Sequence, residues 1–228
     1  MNDRLQPRRT KSAHTAAATA LVLVTALIAT LAASFDARAA TDAQFQPAFA
    51  QFSRASAGES AAIAPAADAF GALLKEEPGN PVLMAYAGAA TALKAATVMS
   101  PFKKMSLAED GLAMLDKSLA LLTPAHDAPV QRGTPGSLEV RFVAANTFLA
   151  VPGFMNRGAR GAKLLGEVLA SPLFEKAPLG FQGAVWMRAA ALASKEQRAE
   201  DARRYLNEVI ARAAPQADQA RAQLKAAS

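Results

Sequence analysis

The chain has 228 residues, 25 bases against 19 acids for a net charge of +6, no cysteine and only two histidines. Without cysteine no disulfide can staple the fold and no lipid can be attached through an amino-terminal cysteine, and the usual ligands of zinc, haem and iron–sulfur sites are missing. We therefore expect no cofactor and no metal.

Chain order begins with an export pattern. Arg4, Arg8, Arg9 and Lys11 form a basic opening, and the run from Ser12 to Phe35 carries no Asp, Glu, Lys or Arg. Ala37-Arg38-Ala39 then sets small residues on either side of a larger one, which suits signal-peptide cleavage after Ala39. A retained membrane anchor is the alternative, since the run is long enough to span a bilayer, although Ala and Thr dilute it. Residues 1–39 are read as a signal peptide and 40–228 as the working domain, expected to be periplasmic or secreted. Cleavage would leave 189 residues with 20 bases and 17 acids, and that balance of +3 is no argument for nucleic acid. After Ala39 no apolar run approaches spanning length.

The remaining text is helical in period, with no convincing alternation for a strand. Phe45, Phe49 and Phe52 recur at i, i+4 and i+7. Asn80-Pro81 reads as a capped helix start, with Leu83, Tyr86, Ala90 and Leu93 on one face. Ser106 with Glu109 has the spacing of a capping box ahead of Leu112, Leu115 and Leu119. Gly136-Ser137 opens a helix carrying Val140, Val143 and Leu149. Pro47 and Pro65, inside otherwise helical text, mark a first turn or a kink. Breakers fall at 77–81, Thr123-Pro124, 125–136, Pro152-Gly153, Ser171-Pro172 and Pro215.

Four segments share one spacing: a small residue, a large apolar residue four later, and apolar or small residues at seven and eight. They start at Ala66, Gly111, Gly161 and Ala202, and each is followed by a proline, at Pro78, Pro124, Pro172 and Pro215. A small residue lets a partner helix approach, the large one fills the gap, and the proline stops the helix. This pattern resembles the tetratricopeptide repeat. Gly183 to Pro215 matches best, with Trp186, Ala190 and Ala193 ahead of Ala202, and 77–81 looks like the inter-repeat turn. The resemblance implies an all-α, right-handed solenoid of about four helix pairs with a polar capping helix after Pro215. Two units are degenerate, because Gly88 to Gly111 and the stretch around 151–160 imply insertions. An irregular helical bundle is the alternative.

Chemistry is sparse. His126, beside Asp127 in a loop, is read as a solvated histidine rather than a general base. The acidic neighbours Glu76-Glu77, Glu109-Asp110 and Glu200-Asp201 point in different directions on a helix, so they are not paired catalytic carboxylates. Trp186 is read as a packing residue rather than a ligand-stacking one. The insertions, 100–105 and 151–157, combine proline, phenylalanine, methionine and bases. In a solenoid they would share one edge, forming a lip of Phe102, Lys103, Lys104, Phe154, Arg157 and Arg160. That lip would dock a partner protein or an anionic surface, unless the two rings tuck into the core. The expected function is a non-enzymatic protein-interaction module of the cell envelope, with a membrane or envelope complex as partner and no nucleic acid. The alternative is a helical protein that binds a small ligand or lipid.

Overall fold

The computed structural model describes residues 43–226, so the signal-peptide and cleavage assignments lie outside the described residues. The chain divides into a unit up to Ala43 and a second from Gln44 onward, and the fold described here is the second.

It is entirely helical. Among the described residues there are nine α-helices and no strand. They are α1 (43–56), α2 (Ile63–Glu76), α3 (Pro81–Lys94), α4 (Pro101–Ala120), α5 (Gly136–Ala150), α6 (Gly158–Ala170), α7 (Leu179–Lys195), α8 (Ala199–Ala211) and α9 (Ala217–Ala226). None of them is long and apolar enough to cross a membrane.

Local chemistry sets the boundaries. Asn80 accepts from the Val82 and Leu83 amides at 3.0 and 3.3 Å, and Pro81 occupies the first turn, where its missing N–H costs nothing. Pro65 stands near the start of α2, whereas Pro47 lies within α1. The expected capping box at Ser106 does not form. Helix α4 already starts at Pro101 with Ser100 as its cap, so Ser106 is interior and its hydroxyl faces Asp110 at 3.4 Å. Two helix ends close in the left-handed region without a glycine. Gln197 (φ 60°) closes α7 and Ala213 (φ 51°) closes α8 in the left-handed region. The Arg198 and Ala214 amides reach back to the Ala193 and Val209 carbonyls, a 6→1 closure that usually employs glycine.

Consecutive helices pair along the chain: α3 lies on α4, α5 on α6, and α7 on α8, so the Trp186 helix does lie beside the Ala202 helix. Helix α3 also packs on α2 and α5, and α9 packs on α8. Small residues permit the closest of these contacts. A Cβ at Gly111 would stand 2.5 Å from the Gly88 carbonyl oxygen, and one at Gly88 would stand 2.8 Å from the Gly111 oxygen. The two glycines therefore face each other across α3 and α4. Their sequence separation is long because a 3-10 turn (Ala95–Thr97) and the first turns of α4 come between them. Gly161 plays the same part between α6 and α5, against Ala145 and Leu149.

The main core runs through α1 to α9, and its hub is Tyr86. Phe70 stacks on the Tyr86 ring at 4.7 Å between centroids, while Phe45 and Phe52 meet it edge-on at 5.7 and 5.0 Å. At the other end Trp186, 6% exposed, meets Phe174 edge-on at 5.4 Å. It is a packing residue.

The glycines differ in what they tolerate. Gly111→Ala drives a methyl into backbone and should cost about 1–3 kcal/mol as overpacking, more than the ~1 kcal/mol alanine gains in helix propensity. Gly71→Ala in α2 meets nothing within 4 Å and should stabilise by roughly 0.5–1 kcal/mol. Urea unfolding followed by circular dichroism should give opposite signs for the two.

Candidate functional groove

Alternate helices turn one face toward a common cavity of about 1010 Å³. Phe49 and Phe52 come from α1, Tyr86, Ala89 and Leu93 from α3, Glu139, Phe142 and Asn146 from α5, and Phe181, Ala184 and Arg188 from α7. Each set repeats at three or four residues, the period that keeps side chains on one helical face. The start of α4 adds Lys104, Met105 and Ala108, and the α5–α6 connection adds Phe154 and Met155. Helices α2, α6, α8 and α9 contribute nothing to the lining.

One wall carries a buried polar cluster. The Tyr86 hydroxyl donates to Glu139 Oε1 at 2.5 Å, and Arg132 Nη1 donates to the same oxygen at 3.2 Å and to the Tyr86 oxygen at 3.3 Å. The Arg132 guanidinium also lies 3.8 Å over the Phe49 ring centroid. Glu139 is 1% exposed, and its second oxygen, Oε2, is buried without a hydrogen-bond partner. Burial raises the Glu139 carboxyl above its ordinary value, against the Tyr86 hydrogen bond and the Arg132 charge that pull it down. Burial likewise pushes the Tyr86 phenol well up, and the neighbouring Glu139 charge adds to that.

Arg188 stands in the α7 wall. Its Nη2 donates to the Asn146 carbonyl oxygen at 3.0 Å, while its Nε is buried with no hydrogen-bond partner. Desolvation lowers its pKa, so the charged form is held at a cost. Among the described residues no carboxylate pairs with it, in contrast to Arg132 with Glu139.

The six residues proposed for the lip separate into three kinds. Phe102 is 89% exposed and Phe154 68% exposed, so neither ring tucks into the core. Phe154 and Lys104 line the cavity, and Phe102 and Lys103 lie outside the lining, on the exposed first turn of α4 rather than in a loop. Arg157 and Arg160 are committed elsewhere. Both pair with Asp116 of α4, Arg157 at 2.9 Å, and both guanidiniums lie over the Phe148 ring. They fasten the α6 start to α4. His126 is a structural residue, its Nδ1 accepting the Thr123 amide at 3.0 Å, and its neighbour Asp127 accepts the Ser137 hydroxyl at 2.5 Å.

Sequence reasoning passed over Arg132, Glu139 and Arg188. A signal was present for two of them. Glu139 is the one acid of α5, and Arg188 is the only charged residue of α7 before Lys195 at its end.

The Glu139 environment predicts a pH dependence. Its folded-state pKa lies above its ordinary 4.5, so its contribution to stability is fully present below that value and is lost as pH rises through the raised folded value. Glu139→Gln has no such titration. Chemical denaturation of both proteins from pH 4.5 upward should show wild type losing stability relative to the variant as the pH climbs. A parallel pair of curves would refute it.

Comparison of the chain with protein-family models, with curated proteins and with solved structures gives no match.

Proposed function

We propose that this chain is an exported, non-enzymatic binding module of tetratricopeptide type, which captures a partner protein of the cell envelope through its groove and the apolar rim beside it. The observation that carries this reading is where the exposed apolar side chains lie. Among the described residues the exposed large hydrophobics are Met99, Phe102, Met105, Phe154 and Leu179. Met105 and Phe154 border the cavity, Phe102 stands one helical turn before Met105, and Met99 immediately precedes the α4 cap. Two of the five thus border the cavity and two more stand within six residues of Met105 along the chain, and exposed apolar surface so grouped supports a contact site rather than solvated surface. Lys103 and Lys104 add positive charge that would steer an acidic partner. Arg157 and Arg160, engaged with Asp116, are structural in this reading.

The pairing of successive helices, α3 with α4, α5 with α6 and α7 with α8, supports repeat-type stacking. Export rests on the basic opening, the uncharged run and Ala37-Arg38-Ala39 alone.

A second reading has its own support. The cavity volume sits at the upper end of the range usual for small-ligand sites, and its lining is mostly apolar with a few buried polar groups. The groove would then hold a small molecule, with the rim as its entrance.

Photo-crosslinking in the native cell tests the first reading. A benzoylphenylalanine at position 102 or 154 should form an adduct with one and the same envelope protein, and one at exposed Glu200 should not. Phe102→Ser combined with Phe154→Ser should cut co-purification of that protein roughly tenfold or more, with an unchanged thermal melt because both rings are exposed. Identical adducts at all three positions, or none, would defeat the partner reading.

A further inference from the structure

We infer that the cavity binds an amphiphilic carboxylate, its carboxyl group held by Arg188 beside Asn146 and its hydrocarbon body lying over Phe142, Phe181 and Met155. This rests on the second reading above, that the cavity holds a small ligand.

Charge bookkeeping within the groove points to the head group. Arg132 is neutralised by Glu139 at 3.2 Å, and Lys104 lies toward the solvent side at the start of α4. Arg188 is different. It is partly buried, it spends one hydrogen bond on a neutral carbonyl, its Nε has no acceptor, and among the described residues no acid offsets it. An unpaired cation in an apolar wall is costly, and an anion arriving with its own lone pairs relieves that cost. A planar carboxylate matches the guanidinium fork.

The walls define the rest of the ligand. Phe142 and Phe181 meet edge-on at 5.3 Å, next to Ala184, and Met155 adds an adaptable apolar surface. Apart from the Asn146 amide, this wall offers a peptide backbone little, since the Thr147 hydroxyl already donates to the Val143 carbonyl at 3.0 Å. A peptide laid along this wall would leave amides unpaired, whereas a hydrocarbon chain has none to satisfy. Glu139 lies seven residues before Asn146 on α5, about 10 Å along the helix, so its carboxylate stands well away from the proposed head group.

Calorimetric titration of the full chain with dodecanoate and with the neutral dodecanol separates the terms. Wild type should bind dodecanoate at least tenfold more tightly than dodecanol. Arg188→Gln should remove that preference and leave dodecanol binding unchanged, and Arg188→Lys should keep part of it. If Arg188→Gln does not fold, the Arg188 Nε–H resonance of wild type serves instead, and it should shift with dodecanoate but not with dodecanol. Equal binding of both compounds, or a preference that survives Arg188→Gln, overturns the carboxylate inference while leaving the cavity reading intact. Failure of both compounds to bind removes the two together.

Discussion

The hydrogen bond from Tyr86 to Glu139 is the interaction on which the groove depends. Tyr86 gathers rings from α1 and α2 around itself, and through its hydroxyl it reaches across to α5. Rings alone would leave α3 free to slide over α5, because dispersion and area burial are nearly indifferent to register. A 2.5 Å hydrogen bond between groups that are both almost fully buried is not indifferent, since displacing it would strand a phenol and a carboxyl away from water. Arg132 completes the arrangement and covers Phe49, so one polar cluster links α1, α3 and α5, three of the five helices that line the cavity.

Close approach at small residues supplies what the polar cluster does not. Helices of ten to twenty residues are marginal alone in water, and without cysteine the chain has no covalent substitute for packing. Gly88 against Gly111 and Gly161 against Ala145 bring backbones together where any larger side chain would hold them apart. The pairs so formed let α3, α5 and α7 each turn one face to the cavity, which α1 and the start of α4 also line.

How much of this was legible in the sequence depended on whether the signal was local. Helical content followed from period, and the Asn80-Pro81 start from capping chemistry that needs only three neighbouring residues. The small-residue positions Gly111 and Gly161 were found because their repeat spacing is a property of one helix. Their partners were harder. Gly88 seemed displaced from Gly111 because sequence distance counts the extra turns of α4, which cost the packing nothing. Pro215 marked the end of α8, but nothing marked the end of α7, and the geometry of both ends was hidden because Gln197 and Ala213 adopt a left-handed conformation without the glycine that normally announces it. The sequence left open whether Phe102 and Phe154 tuck inward, and the fold leaves both rings exposed, while the pairing of Arg157 and Arg160 with Asp116 joins residues some forty positions apart, which no local pattern encodes.

The same distinction explains why the groove's polar residues went unseen and why they matter. A lone charge in a largely apolar helix stands out in sequence, but sequence alone does not tell a cavity wall from a solvated face. In the fold Glu139 and Arg188 sit in the wall of a cavity, where each is stabilised less well than it would be in water. Stability alone would favour leucine or glutamine at such positions, because well-packed apolar replacements of buried charge are often neutral or stabilising. Glu139 has a structural reason to be charged or polar, in the alignment of α3 with α5. Arg188 has only a single bond to the Asn146 carbonyl, which a neutral donor could make equally well. The charge at Arg188 is therefore one that folding does not require, and it lies in the wall of the cavity.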